Sequence, residues 1–287
     1  MLVLRTFLPS AALLPFVKRY YTISGEHPED AEQYDIILHE MALVRIIVQG
    51  AWSIEAGGPG HWADMPSMAF SGPGSSRTGL RVRGPFHAIG AVFRPSGWPA
   101  LFDRPANEFA DRILPFSDVW GAGADRLQDS ILQLSDEDDI IRAFEDEVVL
   151  RLNRIGTWQV HAAMEAFESI ARTDCSRQVR DVAAQLGLSP RQFERSSLSC
   201  FGHTPKLVLR RSRFLDMATA MRGIGDPSEE QLAELRYFDQ SHRNREFRQF
   251  IGMTPQQFVH TPLPFFSAGL QARFQRKASR SEFSKVY

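Results

Sequence analysis

The chain has 287 residues, 43% of them hydrophobic and 23% charged, with a formal net charge of −1. That is enough chain for two cored domains, and the balance excludes wholesale disorder. Two cysteines, Cys175 and Cys200, with no CxxC spacing, argue against a disulfide scaffold or zinc site and for a reducing cytoplasm.

No apolar run reaches the ~18–20 residues that span a bilayer, so no membrane partner is expected. The signal-like opening MLVLRTFLPSAALLPFVKRYY is broken by Arg5, Pro9 and Pro15. Residues 1–105 then read as β-rich. Ala42–Val48 is β-branched and ends at Gly50; Trp52-Ser53-Ile54 alternates before the turn cluster Gly57–Gly60. The cluster Ser71–Ser76 precedes alternating Leu80–Arg83, and Phe86–Phe93 reads as a buried strand after Gly84-Pro85. Short strands punctuated by Gly and Pro predict a small barrel or sandwich.

From Ala124 the period becomes helical, with Leu127, Ile131 and Leu134 on one face. Ser135 is placed as the cap of a second helix, with Asp136, Glu137 and Asp138 in its first turn. These helices, 124–155, carry apolar stripes suited either to a homodimer contact or to packing on the β-rich part. Helix Trp158–Arg172 follows, and the polar bridge Thr173–Ser176 leads into a region of short helices. The division expected is 1–157 as a sensor or association domain, 158–262 as a helical domain, and 263–287 as a basic tail in which Arg273, Arg276, Lys277 and Arg280 stand free for phosphates or water.

The charge is unevenly spread. Residues 1–176 hold 15 basic against 24 acidic residues, a net of −9, whereas 177–287 hold 18 against 10, a net of +8. A basic half points to a polyanionic partner. That half also repeats itself at an offset of 50: Arg195 meets Arg245, Gly202 meets Gly252, Thr204 meets Thr254 and Pro205 meets Pro255. Each copy is a helix that stops at glycine and restarts with Thr as cap and Pro in its first turn. Before the first copy, Val182–Ser189 supplies a helix and a tight turn at Gly187, with Ser189-Pro190 opening the next helix. That is a helix-turn-helix. The second unit has Glu229–Arg236 and Asp239–Ile251 as its helices, and Thr204–Arg222 joins the two. Two such units can enter successive major grooves ~34 Å apart.

The segments VRDVAAQLGLSPRQFER, GHTPKLVLRRSRF and YFDQSHRNREFRQFIGMTP resemble the DNA-binding domain of arabinose-operon-regulator (AraC/XylS) type transcription factors, over residues 177–260. More weakly, Pro9–Tyr21 and GAVFRPSGWPALFDRPANEFADRILPFSDVWG are similar to the N-terminal sensor region of one bacterial branch of that family. The resemblance implies an α+β multidomain chain: a β-rich N-terminal domain plus an all-α C-terminal domain of two helix-turn-helix units on a linker helix. Its partners would be double-stranded DNA and a small-molecule effector, with RNA polymerase and a homodimer as further candidates. The protein would be a bacterial, cytoplasmic, nucleoid-associated regulator with no cofactor. The chain departs from the family at Ser197, where an aromatic is usual, at Arg243, where an apolar residue is usual, and at Leu232 and Arg236 in the second unit's first helix and turn. Losing one aromatic from a small core costs roughly 3 kcal/mol unless a neighbour such as Leu198 or Phe201 refills the space.

In the first unit the exposed start of the reading helix offers Arg191, Gln192, Glu194 and Arg195 to base edges. In the second it offers Gln240, Ser241, His242, Asn244 and Arg245. Phosphates would meet Thr204, Lys206, Arg210, Arg248 and Thr254. Arg195 and Arg245 serve equally as partners in intradomain ion pairs, and His242 as an ordinary polar helix residue. Trp52, Trp62, Phe86 and Phe93 are candidates for an effector pocket or for the core. His39, His61 and His87 are isolated, and no nucleophile elbow, P-loop or HExxH occurs, so neither a metal nor an enzyme is expected. The rival to a promoter-binding regulator is an adaptor that keeps the helical scaffold without base readout.

Overall fold

The computed structural model describes residues 2–58, 60–131, 133–225 and 240–283, with side chains described as far as residue 274. The expected first helix of the second unit, Glu229–Arg236, with Leu232 and Arg236, lies outside the described residues.

The N-terminal part is an antiparallel eight-stranded sheet: β1 (Leu2–Phe7), β2 (Val17–Gly25), β3 (Glu32–Ile37), β4 (Leu43–Glu55), β5 (Trp62–Asp64), β6 (Met68–Ser71), β7 (Thr78–Phe93) and β8 (Ile113–Pro115). The signal-like opening is the edge strand β1, paired to β2. The spine is β4 against β7, with Ile46 opposite Ile89 and Trp52 opposite Val82. Each is one long bent strand where the sequence suggested two. Gly50, at φ 90°, sits at a register shift in β4, and a side chain there would come within 2.9 Å of the Pro85 carbonyl. Gly84, at φ 73°, bends β7 at the same level. The paired kinks curl the sheet: the first half of β7 takes β3, with Leu80 opposite Asp35, and the second half takes β2, with Ala88 opposite Ile23.

The pleat assigns alternate residues to different cores. Val44, Ile46, Ile89, Ala91 and Phe93 face a large core shared with the helices that follow. Leu43, Leu80, Val82, Phe86, Ala88 and Val92 face the other way, into the hollow of the curl. Helices Ala122–Ile131 and Glu137–Ile155 cover the first face through Leu127, Ile140, Phe144, Val148 and Leu152. The cap of the second is Asp136, whose carboxylate accepts from Asp138 N–H and Asp139 N–H, and not Ser135. A carboxylate at the positive end of the helix dipole supplies charge as well as the hydrogen bond. Of the two uses expected for helices 124–155, packing on the β-rich part is the one this arrangement presents.

Helix Ala162–Thr173 is clamped to the sheet by buried Glu168, which pairs with Lys18 and with Arg94 at 2.9 Å. The helical half follows: Val179–Gln185, Pro190–Phe201, the linker helix Pro205–Met221, Gln240–Ile251 and Pro255–His260. A third core holds Phe214, Leu215, Phe247, Phe250 and Phe258 together with Ile36 of β3. The residues read as a basic tail form instead a helix, Pro264–Phe283, that returns to the sheet. Phe265 enters the hollow of the curl, 5.0 Å from the ring of Phe86 and 5.5 Å from that of Trp52. Asp35 accepts from the backbone N–H of Phe265 at 2.7 Å and of Phe266 at 3.3 Å, so β3 caps this helix. Burial, set against three backbone N–H donors, raises the Asp35 carboxyl to about 6.

Candidate nucleic-acid interface and the cavity behind it

The first reading helix is fixed from both ends. Ser189 accepts from Gln192 N–H, and the Gln192 side chain returns a bond to Ser189 N–H at 3.0 Å. Gly202 ends the helix at φ 74°. Phe193, Cys200 and Phe201 are buried, with Phe167 4.7 Å from Phe193 and 5.0 Å from Phe201. Gly202 itself packs against the N-terminal part, where a Cβ would lie 3.2 Å from the Ala106 carbonyl. With its rear held this way, the helix turns Arg191, Gln192, Glu194 and Arg195 to solvent as one continuous face. Gln192 spends its side-chain oxygen on the cap, which leaves only its amide N–H groups to offer outward. Arg195 makes no hydrogen bond or ion pair among the described residues, which removes the intradomain alternative for it there.

The second reading helix, Gln240–Ile251, ends at Gly252 with φ 72°, matching the first at the same 50-residue offset. Gln240, Ser241 and Arg245 are exposed; His242 and Asn244 are half-buried. His242 stands 3.9 Å from Glu246, and Arg245, like Arg195, has no ionic partner among the described residues. Its far end docks on the sheet, where Arg77 N–H donates to the Phe250 carbonyl at 2.8 Å.

Of the phosphate candidates, Lys206 and Arg248 are exposed. Thr204 and Thr254 are helix caps, accepting from Leu207 N–H and Gln257 N–H. Arg210 is engaged elsewhere: it bonds Glu246 at 2.5 Å and Gln249 at 2.8 Å, tying the linker helix to the second reading helix. Of the departures from the family pattern, Ser197 is accommodated, while the buried Arg243 Nε has no hydrogen-bond partner among the described residues. Ser197, fully buried, donates its hydroxyl to the His203 carbonyl at 2.7 Å. Arg243 is half-buried where Phe193 is buried in the first unit, while Phe247 fills the second core 5.1 Å from Phe214.

The linker helix is bolted to the N-terminal part. Arg211, with no solvent exposure, donates to the Gly74 and Glu40 carbonyls, and His203 meets the Pro73 carbonyl at 3.0 Å. Thus the Gly-Pro-Gly turn at 72–74 serves as a dock for the helical half. Its first glycine is obligatory, since a Cβ at Gly72 would lie 1.8 Å from the Phe109 carbonyl oxygen.

The effector-pocket candidates require correction. Trp52 and Phe86 form the hollow's core with Phe265, Phe93 belongs to the helix-facing core, and Trp62 packs beneath Arg81 on a short edge pairing. None of the four lines a cavity of about 180 Å³ that lies between β2, the segment 36–41 and the helix Pro264–Phe283. Big aromatics were taken by packing, and the open space is bordered by charged side chains. Arg273, expected free, is bonded there to Glu40, Asp216 and the Ser212 hydroxyl; the side chains of Arg276, Lys277 and Arg280 lie outside those described. Burial alone would raise the Glu40 carboxyl, but Arg273 and Arg211 outweigh it and hold it at about 2, below its ordinary 4.5. A depressed acid stabilises the fold above its unfolded value and loses that contribution as pH falls through the folded one. The melting-temperature gap between wild type and Glu40→Gln is therefore expected to be constant above 4.5 and to close as pH falls towards 2. A gap that stays constant over that interval would show that Glu40 titrates normally.

Sequence reasoning missed Arg211, Asp35 and the cavity. For Arg211 a signal existed, because it falls on the same stripe as Val208, Leu215 and Ala218, all buried. Among the described residues no helix is long and apolar enough to cross a membrane.

A family model described as a helix-turn-helix domain matches residues 182–261, and one described as a domain of unknown function, DUF6597, matches residues 5–115. No curated protein matches the chain. Among solved structures, ToxT from Vibrio cholerae is similar at 10% identity over 84% of this chain and 97% of its own, with a TM-score of 0.46. ToxT from Vibrio cholerae O395 bound to (E)-4-(8-methylnaphthalen-1-yl)but-3-enoic acid gives 11% identity over 84% and 98%, TM-score 0.46. The AraC-like transcriptional activator CuxR gives 13% over 72% and 84%, TM-score 0.27. The helix-turn-helix match lies over the two glycine-stopped helices Pro190–Phe201 and Gln240–Ile251 and the helix that joins them, so residues 182–261 form a helix-turn-helix domain.

Proposed function

We propose that the protein binds promoter DNA with helix Pro190–Phe201 in one major groove and Gln240–Ile251 in the next, and that a small molecule bound by the N-terminal part adjusts that binding. The observation that carries the reading is the solvent-facing row Arg191, Glu194 and Arg195 on a helix whose opposite face is locked by Phe193, Cys200 and Phe201. A rigid helix presenting unengaged guanidinium groups suits bidentate contact with guanine, and Glu194 suits cytosine N4. The second helix contributes Gln240 and Asn244, which suit adenine edges, while Lys206 and Arg248 supply phosphate contacts. An effector acts here by binding one arrangement of the two halves better than another, and the Arg211 and His203 docking is the joint such a preference would bias.

The test is to pass the purified protein over random genomic fragments at ~150 mM salt, where non-specific contacts are weak, and to sequence what is retained. The expected result is a motif with two half-sites one helical turn apart. A single short motif would assign base reading to the first unit alone, and no enrichment would overturn the reading. Arg191→Ala is expected to cost about 1–3 kcal/mol on the recovered site and to relax preference at one base pair. Titrating wild type and variant on cognate and random duplexes checks it: equal losses on both would sink the base-reading role.

A further inference from the structure

The cavity is apolar on one side and cationic on the other. Tyr21, Ile23, Ile37 and Val92 of the sheet face Phe265 and Leu270 of the carboxyl-terminal helix. Lys18, Arg19, Arg45, Arg172 and Arg273 also border it, against one carboxylate, Glu40. Some of this charge is already answered: Lys18 pairs with Glu168, and Arg273 with Glu40 and Asp216. One guanidinium group, that of Arg45, is not, and that of Arg19 is answered only in part. Arg45 is 7% exposed, donates to the Tyr21 hydroxyl at 3.2 Å and lies 5.3 Å over the Trp52 ring, with no carboxylate against it among the described residues. Arg19 is half-buried and makes no hydrogen bond or ion pair among the described residues; burial lowers its pKa, against the attraction of Tyr21 and Glu40. His39 lines the same cavity, and its buried Nδ1 has no partner among the described residues. Burial first, and then Arg45, Arg211 and Arg19, push this imidazole down to about 3.

Burying a cation without a counter-ion costs several kcal/mol. A fold that does so beside a cavity, with an orphan imidazole nitrogen at the same wall, is built around an anion supplied from outside. We infer that this cavity binds an anionic amphiphile, its head held by Arg19 and Arg45 and its apolar body lying along Ile23, Ile37, Val92 and Phe265. A ligand so placed touches the sheet and the carboxyl-terminal helix at once, and Leu215 of the linker helix borders the same space. This deepens the effector reading above and rests on it for regulatory meaning, but binding itself is measured without DNA.

The test uses the full chain and calorimetric titration with decanoate, decyl phosphate, decan-1-ol and inorganic phosphate. Decanoate or decyl phosphate is expected to bind saturably, at least tenfold tighter than decan-1-ol and inorganic phosphate; whichever is tighter identifies the head as carboxylate or phosphate. Arg19→Gln is expected to weaken that binding at least tenfold while leaving the ligand-free melting temperature unchanged or raised, because the desolvation of the charge removed outweighs its attraction to Tyr21 and Glu40. A merely structural arginine would lower it. Gly269→Leu is a second variant: a Cβ at Gly269 meets open space on the cavity lining, so the larger side chain fills the site from a helix it does not strain. It is expected to abolish binding with the fold intact. Decan-1-ol binding as tightly as the anions, no saturable binding of either anion, or full affinity in Arg19→Gln would each overturn the inference. Failure here with a DNA motif recovered would leave the regulator standing, and the reverse outcome would leave the ligand site standing.

Discussion

Arg211→Ala is expected to destabilise the folded chain by roughly 3–5 kcal/mol, the loss of two buried hydrogen bonds from a charged donor. Arg211 has no solvent exposure and is fixed by the Gly74 and Glu40 carbonyls, two acceptors from separate loops. Hydrogen bonds from a charged donor contribute about 1.5–3 kcal/mol each, and their loss strands both carbonyls away from water. Burial lowers the guanidinium only to about 10, so it stays charged at neutral pH. Urea titration should show a fall in midpoint at constant slope. Arg211→Lys should recover little, since one ammonium cannot reproduce a fork that reaches two acceptors. A loss under about 1 kcal/mol in the alanine variant would show that the linker helix does not depend on this anchor.

Phe265→Ala is the other large effect, again roughly 3–5 kcal/mol, the usual range for emptying an aromatic site in a core. The ring is 6% exposed and meets Trp52 and Phe86 on the far side of the sheet from the main helical core. Its loss leaves the carboxyl-terminal helix held by the Asp35 cap, the Arg273 bonds and the packing of Phe266 and Leu270. Trypsin cleavage at Arg273 should then become fast under conditions where wild type resists it. Unchanged protection would mean that those remaining ties suffice.

How much of this was legible in the sequence depended on the range of the forces involved. The helical half was read well because caps, glycine stops and the 50-residue offset are local: Ser189, Gly202, Thr204, Gly252 and Thr254 act within a few residues of their own positions. The strands were placed but miscounted, since Gly50 and Gly84-Pro85 look like turns locally and become kinks only when β4 and β7 lie side by side. The aromatic pocket candidates went to the core for a different reason. Trp52, Phe86 and Phe93 are the side chains that gain most by burial, so packing claims them first. Arg19, His39, Arg45 and Phe265 come from four distant segments, and no periodicity joins them. The tail was misread because its basic composition outweighed Leu263, Phe265, Phe266 and Leu270, which are all buried.

The returning helix also bears on how the molecule can be taken apart. The helix-turn-helix match stops at residue 261, and a cut there seems natural from the sequence. Such a cut removes the lid of the hollow, leaves Asp35 buried with no N–H groups from Phe265 and Phe266 to receive, and uncovers Trp52 and Phe86. The N-terminal part obtained alone would be a sticky, half-open shell, and its failure to bind a ligand would say nothing about the intact protein. The sheet and the helical half share a last segment, so each is complete only in the other's company.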